Sequence, residues 1–480
     1  MTDQYSGSRR DLLKGAALVA AGGAALISGV PSAQAKMIED GSGPRQDDYR
    51  ERGPNVAGLK FRAVVSHRFG PNTTKVMELT MLPINERQVV IKTEASQCCY
   101  TMCSRVLGTQ APPDPLGPQA PVIVNDPNEP TIQGHGGVGR VVAVGAGVRR
   151  VRVGDRVMVP VTPQCGVCYN CLHGRADRCM FGFGAKTVPI ATMADGTKVV
   201  QGGNLGGLSQ YMVEFEEMTV PMFTKVPSEE LAMLHCVGSC GLGTTMTLAP
   251  VKPGSNVAVF GLGPVGMSAI QGARIAGAAK IIGIDPVRTR REAALKFGAT
   301  DVLDPNEIKH WALVAKVKEL CRDQSDRIYA GGTYLGANRA GIIQDSGPEF
   351  VIEACGRDRM GLRGINGAES SPDPTGIQTM EEIFETVPSH GHLCTTGVGF
   401  DPQDKLSFPA NQWLDGSRQH HSSQFGGTNS MRDIPNYVRL IEAGRYDAKG
   451  MITARYDLDH IMDAYHDVAY RKTLCAMVLM

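Results

Sequence analysis

Apolar positions cluster unevenly along the chain, and the longer runs predict its elements. Residues 257–260, Val-Ala-Val-Phe, form an unbroken apolar run of the kind found in a parallel strand buried on both faces. The run ends in Gly261-x-Gly263-x-x-Gly266, and residues 267–279 then read as a helix. A second strand over 280–284 ends in Asp285, 19 residues after Gly266. Later apolar runs at 350–354 and 391–399 predict further strands of the same sheet. Strands alternating with helices make this half a doubly wound α/β domain. Near the start, residues 15–30 are only modestly apolar and are broken by glycines, which is too short and weak for a membrane span. Residues 44–55 are polar and turn-rich and read as a tether.

Strand, glycines, helix, second strand and terminal acid together carry a definite chemistry. The glycines, with Pro264 and Val265 between them, allow a tight turn and close approach of backbone to a pyrophosphate, and the N-terminus of the following helix adds a partial positive charge. The Asp285 carboxylate suits the adenosine ribose hydroxyls and would repel a 2′-phosphate, so NAD is expected over NADP. Arg288, Arg290 and Arg291 read as a solvated helix start, and are the one feature that argues for NADP.

The formal charge of the 480 residues is +1, and no basic run follows the first residues. Nucleic acid and anionic membranes are therefore not expected as partners. Ser8-Arg9-Arg10-Asp11-Leu12-Leu13-Lys14 resembles the twin-arginine export signal, and Ala33-Gln34-Ala35 is a small-x-small cleavage site. The expected mature protein is periplasmic and starts at Lys36. Thirteen cysteines in an exported chain would ordinarily suggest disulfides. Their spacing points to metal instead: Cys165, Cys168, Cys171 and Cys179 stand close enough for their thiolates to converge on one tetrahedral zinc.

Upstream lie ASQCCYTMCSRVLG, GHGGVGRVVAVG and VRVGDRVMVP; downstream of the cysteine loop lie GGLSQYMVEF and CVGSCGLGTT. In this order the set resembles the zinc-containing medium-chain alcohol dehydrogenases from about residue 60 to the C-terminus, with insertions near 110–131, 327–347 and 357–380. The resemblance implies a mostly-β, GroES-like catalytic domain over 56–242, after a signal (1–35) and linker (36–55). A Rossmann NAD-binding domain over 243–424 and a return to the catalytic domain over 425–480 complete the expectation. It also implies two zinc ions per chain. Cys99, His135 and Cys240 would hold the catalytic one, with Cys98 a one-residue alternative to Cys99 and with Cys103 and Cys236 as apolar filler or pocket wall. The four-cysteine loop would hold the structural one.

The implied reaction is hydride transfer between a small alcohol or aldehyde and NAD, with zinc polarising the substrate oxygen. Thr101 matches the hydroxyl that takes the alcohol's proton, and Ser104 replaces the relay histidine of several members. Met102 and Gly136 stand where the family usually carries acidic residues beside the zinc ligands, so the metal's surroundings are altered. Tyr100 would line the pocket or stack beside the pyrophosphate, and Arg471 or Lys472 would reach it. His420 and His421 are expected to be structural, and the family's habit implies a homo-oligomer. Export raises a further expectation. Free NAD is scarce outside the cytoplasm, so NAD would travel inside the folded enzyme and be reoxidised in place by an aldehyde or an external electron acceptor, with loop 112–130 covering the cleft. Two other readings are an NAD-relay dismutase and a zinc- and NAD-binding protein without catalysis.

Overall fold

A computed structural model describes residues 51–67, 73–107, 129–183, 187–322, 347–356, 371–397, 404–410, 416–423 and 425–480. Residues 1–35, read above as an export signal, and residues 112–128 of the first insertion lie outside them.

The first lobe is built from antiparallel strands. Lys60–Ser66, Thr74–Met81, Ala191–Thr192, Lys198–Gln201 and Thr131–Ile132 close into a barrel around Phe61, Leu79, Ile132 and Val199. Beside it, the long strand Gln88–Cys98 pairs with Gly137–Val144 and with Tyr211–Phe215. Its far end pairs with the C-terminal strand Ala476–Leu479, Cys98 opposite Ala476, so the chain's last residues belong to this lobe. Helix α1 (Tyr100–Leu107) follows directly, its apolar side against Tyr465 and Val468.

The second lobe has six parallel strands: β1 (Asn256–Phe260), β2 (Lys280–Ile284), β3 (Asp301–Leu303), β4 (Phe350–Glu353), β5 (His392–Thr395) and β6 (Gln419–Ser422). Their order across the sheet is β3-β2-β1-β4-β5-β6, a doubly wound arrangement whose order reverses beside β1. His420 and His421 lie on β6 and bond to Thr395 and His392 on β5, which is the structural use expected of them. The fold class thus agrees with the sequence reading. The helix after β1 starts earlier than its apolar pattern suggests, because Pro264 suits the first helical turn, and it ends at Gly277, where φ is +88°.

Two helices join the lobes. α2 (Val237–Gly243) lies against α3 (Pro264–Ala276) with glycine between them. A Cβ on Gly241 would stand 2.3 Å from the Val265 carbonyl oxygen, and one on Gly272 would stand 2.1 Å from Thr245 Oγ1. Around this contact one continuous core runs from Val157 and Val159 in the first lobe through Leu234 and Leu242 to Val257 and Ile270 in the second. Among the described residues no single helix is long and apolar enough to cross a membrane.

Gly241→Ala forces α2 and α3 apart, so it should cost about 1–3 kcal/mol. We expect a fall of several degrees in Tm by circular dichroism; an unchanged Tm would show that the helices can separate freely.

Candidate active site

Three ligand-bearing residues converge at the junction of the lobes. Cys99 stands between strand Gln88–Cys98 and α1. His135 sits in a sharp link between strands, flanked by Gly134 (φ +104°) and Gly136 (φ +97°). A Cβ on Gly136 would be 2.1 Å from the Val159 carbonyl, so the backbone accepts nothing larger than glycine there. Cys236 caps the N-terminus of α2. The ligand atoms of Cys99, His135 and Cys236 lie within 4.8 Å of one another.

Cys240 was expected as the third ligand and Cys236 as pocket wall; here Cys236 stands with Cys99 and His135, and the Cys240 thiol adjoins that of Cys236. The two are four residues apart, one helical turn, so both face the same way and motif order alone does not separate them. The Cys240 amide donates to the Cys236 carbonyl at 2.9 Å, and thiol contacts, with Cys240 and then Cys99, push the Cys236 thiol well up.

Contact with Cys236 holds the Cys99 thiol well below the ordinary range, against burial, with His135 and Thr101 adding to the effect. Thr101 Oγ1 lies 3.2 Å from Cys99 Sγ and 3.4 Å from His135 Nε2. Behind the trio, burial depresses the His235 imidazole to about 3, and its Nε2 accepts from the Gln97 amide at 3.3 Å. A low-pKa thiol at the cleft wall, an imidazole and a second thiol are the donor set of a three-ligand zinc with a free position. Ser104 lies on α1, its side chain outside the described residues. Met102 packs among apolar side chains with Val106 and Leu458.

The second cluster is Cys165, Cys168, Cys171 and Cys179, again with sulfurs within 4.8 Å. Burial works to raise the Cys168 thiol, but amides of Cys171 and Met180 and thiols of Cys171 and Cys165 bring it down to about 6. Arg150 holds the loop's base by donating to the carbonyls of Gln164, Glu217 and Thr219. Buried Asp177 takes Arg175 on both oxygens and the Ser423 hydroxyl at 2.8 Å, which ties the loop to the segment after β6. With all four thiols turned inward, the cluster suits a closed structural zinc.

A cleft of about 400 Å³ separates the lobes, and Cys99, Tyr100 and Thr101 face it from one side. From the other come Gly261, Gly263, Pro264, Val265 and Asp285. Gly266 lies behind the turn, where a Cβ would be 1.8 Å from the Gly261 carbonyl, while Gly263 leaves the backbone open to the cleft. The Asp285 carboxylate accepts from the amides of Leu262 (2.7 Å) and Val287 (2.8 Å), which hold it at the mouth of the turn. Arg471 faces the cleft, whereas Lys472 pairs with Asp467, so Arg471 is the basic residue placed for a pyrophosphate.

Two residues here were missed. Arg290 was read with its neighbours as a solvated helix start; Arg288 is indeed exposed, but Arg290 lies in the cleft wall 3.9 Å from Asp285. Its Nε is buried without a hydrogen-bond partner, as befits a group awaiting an anionic or hydroxylated ligand. Arg291 is also held, by the carbonyls of Asp285 and Pro286 and by Asp304. Glu353, at the end of β4, is fully buried and accepts from the amides of Cys355 (2.9 Å), Gly356 (2.6 Å) and Gly397 (2.9 Å). It clips together the loops after β4 and β5, both of which border the cleft. A single acid closing the apolar run 350–353 was its signal in the sequence.

The two cysteines on α2 give a direct test of the trio. Cys236→Ser should lower the zinc content from two to one per chain, while Cys240→Ser should keep two; elemental analysis of purified variants decides, and the reverse pattern would restore Cys240 as ligand.

Comparison with known proteins agrees with this geometry. Residues 85–224 match the alcohol dehydrogenase GroES-like domain, and residues 264–443 match the zinc-binding dehydrogenase domain. The chain is 33% identical to an S-(hydroxymethyl)glutathione dehydrogenase of Escherichia coli, over 85% of this chain and 96% of the relative. It is 27% identical to the NDMA-dependent alcohol dehydrogenase of Amycolatopsis methanolica, over 88% and 99%. The solved benzyl alcohol dehydrogenase of Acinetobacter calcoaceticus shares the fold, with a TM-score of 0.67 at 23% identity, over 88% of this chain and 99% of that one. The chain, with its two cysteine clusters and its dinucleotide turn, is a member of the zinc-containing medium-chain alcohol dehydrogenase family.

Proposed function

We propose that this is an exported zinc-dependent dehydrogenase that moves hydride between a small alcohol or aldehyde and an NAD retained through turnover. The observation that carries the reading is the shared cleft: Cys99, which belongs to the Cys99–His135–Cys236 trio, and the glycine turn line the same space. When bound, zinc supplies Lewis acidity toward the substrate oxygen and NAD supplies the hydride-accepting ring. The protein's own part is to hold these groups face to face and keep water out. Glu353 fixes the loops on one wall; Arg290, Arg471 and Asp285 supply the polar contacts for a dinucleotide. Asp285 supports NAD, because a carboxylate at the end of this second strand suits ribose hydroxyls and repels a 2′-phosphate.

Retention of NAD draws support from the far end of the cleft. Ser371, Pro372 and Asp373, from the third insertion, form part of its wall. Asp373 anchors them by accepting from the amides and hydroxyls of Thr375 and Thr379. Opposite, His310 bonds Glu382 at 3.0 Å, and Gln378 donates to the same carboxylate at 2.9 Å. His310 has φ +51°, a strained backbone that the surrounding contacts must hold in place. The SRRDLLKG segment supports export, and a relative named for dependence on NDMA supports reoxidation of the cofactor in place.

Protein recovered from the periplasm and denatured should release close to one NAD(H) per chain, and should oxidise alcohol with NDMA and no added NAD. Exchange of bound for free labelled NAD within seconds would rule out retention, while leaving the dehydrogenase reading intact.

A further inference from the structure

The cleft continues past Asp285, beyond the part that the glycine turn and the acid account for. In a doubly wound fold the turn after β1 takes the pyrophosphate and the acid ending β2 takes the adenosine ribose, so the base lies further toward β3. Apolar groups line the cleft there: Pro286, Pro305 and Leu313, together with Cys355 from the loop after β4. The same stretch has a polar rim, made by Ser371, Gln378 and Thr379 of the third insertion and by His310 of the link after β3.

The hydrogen bonds of this rim all run one way. Ser371 donates its hydroxyl proton to the Asp373 carbonyl at 2.8 Å, and Thr379 donates its own to the Asp373 carboxylate at 3.1 Å. The Gln378 amide donates to Glu382 at 2.9 Å and to His310 Nε2 at 3.4 Å. An amide nitrogen only donates, so His310 carries its proton on Nδ1 and gives it to the same Glu382 oxygen at 3.0 Å. The Gln378 amide cannot turn over, because its oxygen would then face the Glu382 carboxylate. These side chains thus spend their protons inside the wall, and what they offer a ligand is lone pairs, foremost those of the Gln378 carbonyl oxygen. Lys309, a cation bordering this stretch, is exposed to solvent.

A rim of acceptors beside an apolar slot suits a flat ring that carries an amino group. We infer that this end of the cleft reads the cofactor's base, and that Gln378 is a specificity-determining residue whose carbonyl oxygen accepts from the 6-amino group of adenine. A purine with oxygen at that position would set two acceptors against each other and leave both unpaired.

The inference rests on the NAD reading of the cleft, and the test separates the two. Deamino-NAD, whose base is hypoxanthine, differs from NAD at that edge of the ring alone. Holoprotein is dialysed to equilibrium against an equimolar mixture of the two, and the excess of each on the protein side is measured by chromatography. The wild type should hold NAD over deamino-NAD by about 10-fold, within the range for discrimination at a base edge. Gln378→Met keeps the length of the side chain and removes the acceptor, so the ratio should fall to near parity. Total occupancy should stay close to one dinucleotide per chain in both proteins, which controls for folding. Parity in the wild type overturns the reading of the base, and an unchanged preference in Gln378→Met overturns the role of Gln378. A wild type that binds neither dinucleotide overturns the NAD reading itself.

Discussion

Gly241 brings α2 close against Val265 and Ser268 of α3, Gly272 makes room for Thr245 just beyond the end of α2, and the placement of both halves of the site follows from that contact. α2 starts at Cys236, so its position sets where the second thiol stands relative to Cys99 and His135. α3 starts at the glycine turn, so its position sets where a dinucleotide's phosphates would lie. A shift of an ångström between the helices would move the metal trio away from the cofactor cleft by as much. The continuous core from Val157 to Ile270 makes such a shift expensive, because every side chain in it would have to repack. The site is thus held by apolar packing, and its polar groups act on a geometry already set.

Much of this was legible in the residues. An apolar run ending in three spaced glycines has few other uses, and the later acid at Asp285 fits only one partner chemistry. The four-cysteine loop is local in sequence, so its convergence could be foreseen. What could not be read depends on long-range placement. Whether Cys236 or Cys240 meets Cys99 turns on where α2 begins, and that is set by its packing against α3. Arg290 looks like its exposed neighbour Arg288 until the rotation of its helix is known. Glu353 serves two loops joined by strands that the sequence separates by about forty residues, and nothing local marks that pairing. Helix and strand limits were off by a few residues at 350–354 and 391–399, where capping rather than apolar pattern decides the end.

The surroundings of the trio depart from the family's habit, yet the departures agree with one another. Gly136 is required by the close backbone of Val159, Met102 is absorbed by the core beside α1, and the Thr101 hydroxyl reaches both Cys99 and His135. At the other cluster Arg150 and Asp177 secure the loop through backbone carbonyls and a serine hydroxyl.

The central claim is that hydride moves across the cleft from an alcohol to NAD. Protein as isolated, with its zinc and NAD content counted, is mixed with primary alcohols carrying deuterium on the carbinol carbon, over a range of chain lengths and including benzyl alcohol. The bound cofactor is then released by denaturation and its mass measured. One deuterium in the nicotinamide ring, close to one per chain, together with the matching aldehyde, is the predicted result. Aldehyde formed without deuterium in the cofactor, or no transfer from any alcohol by fully loaded protein, would contradict it.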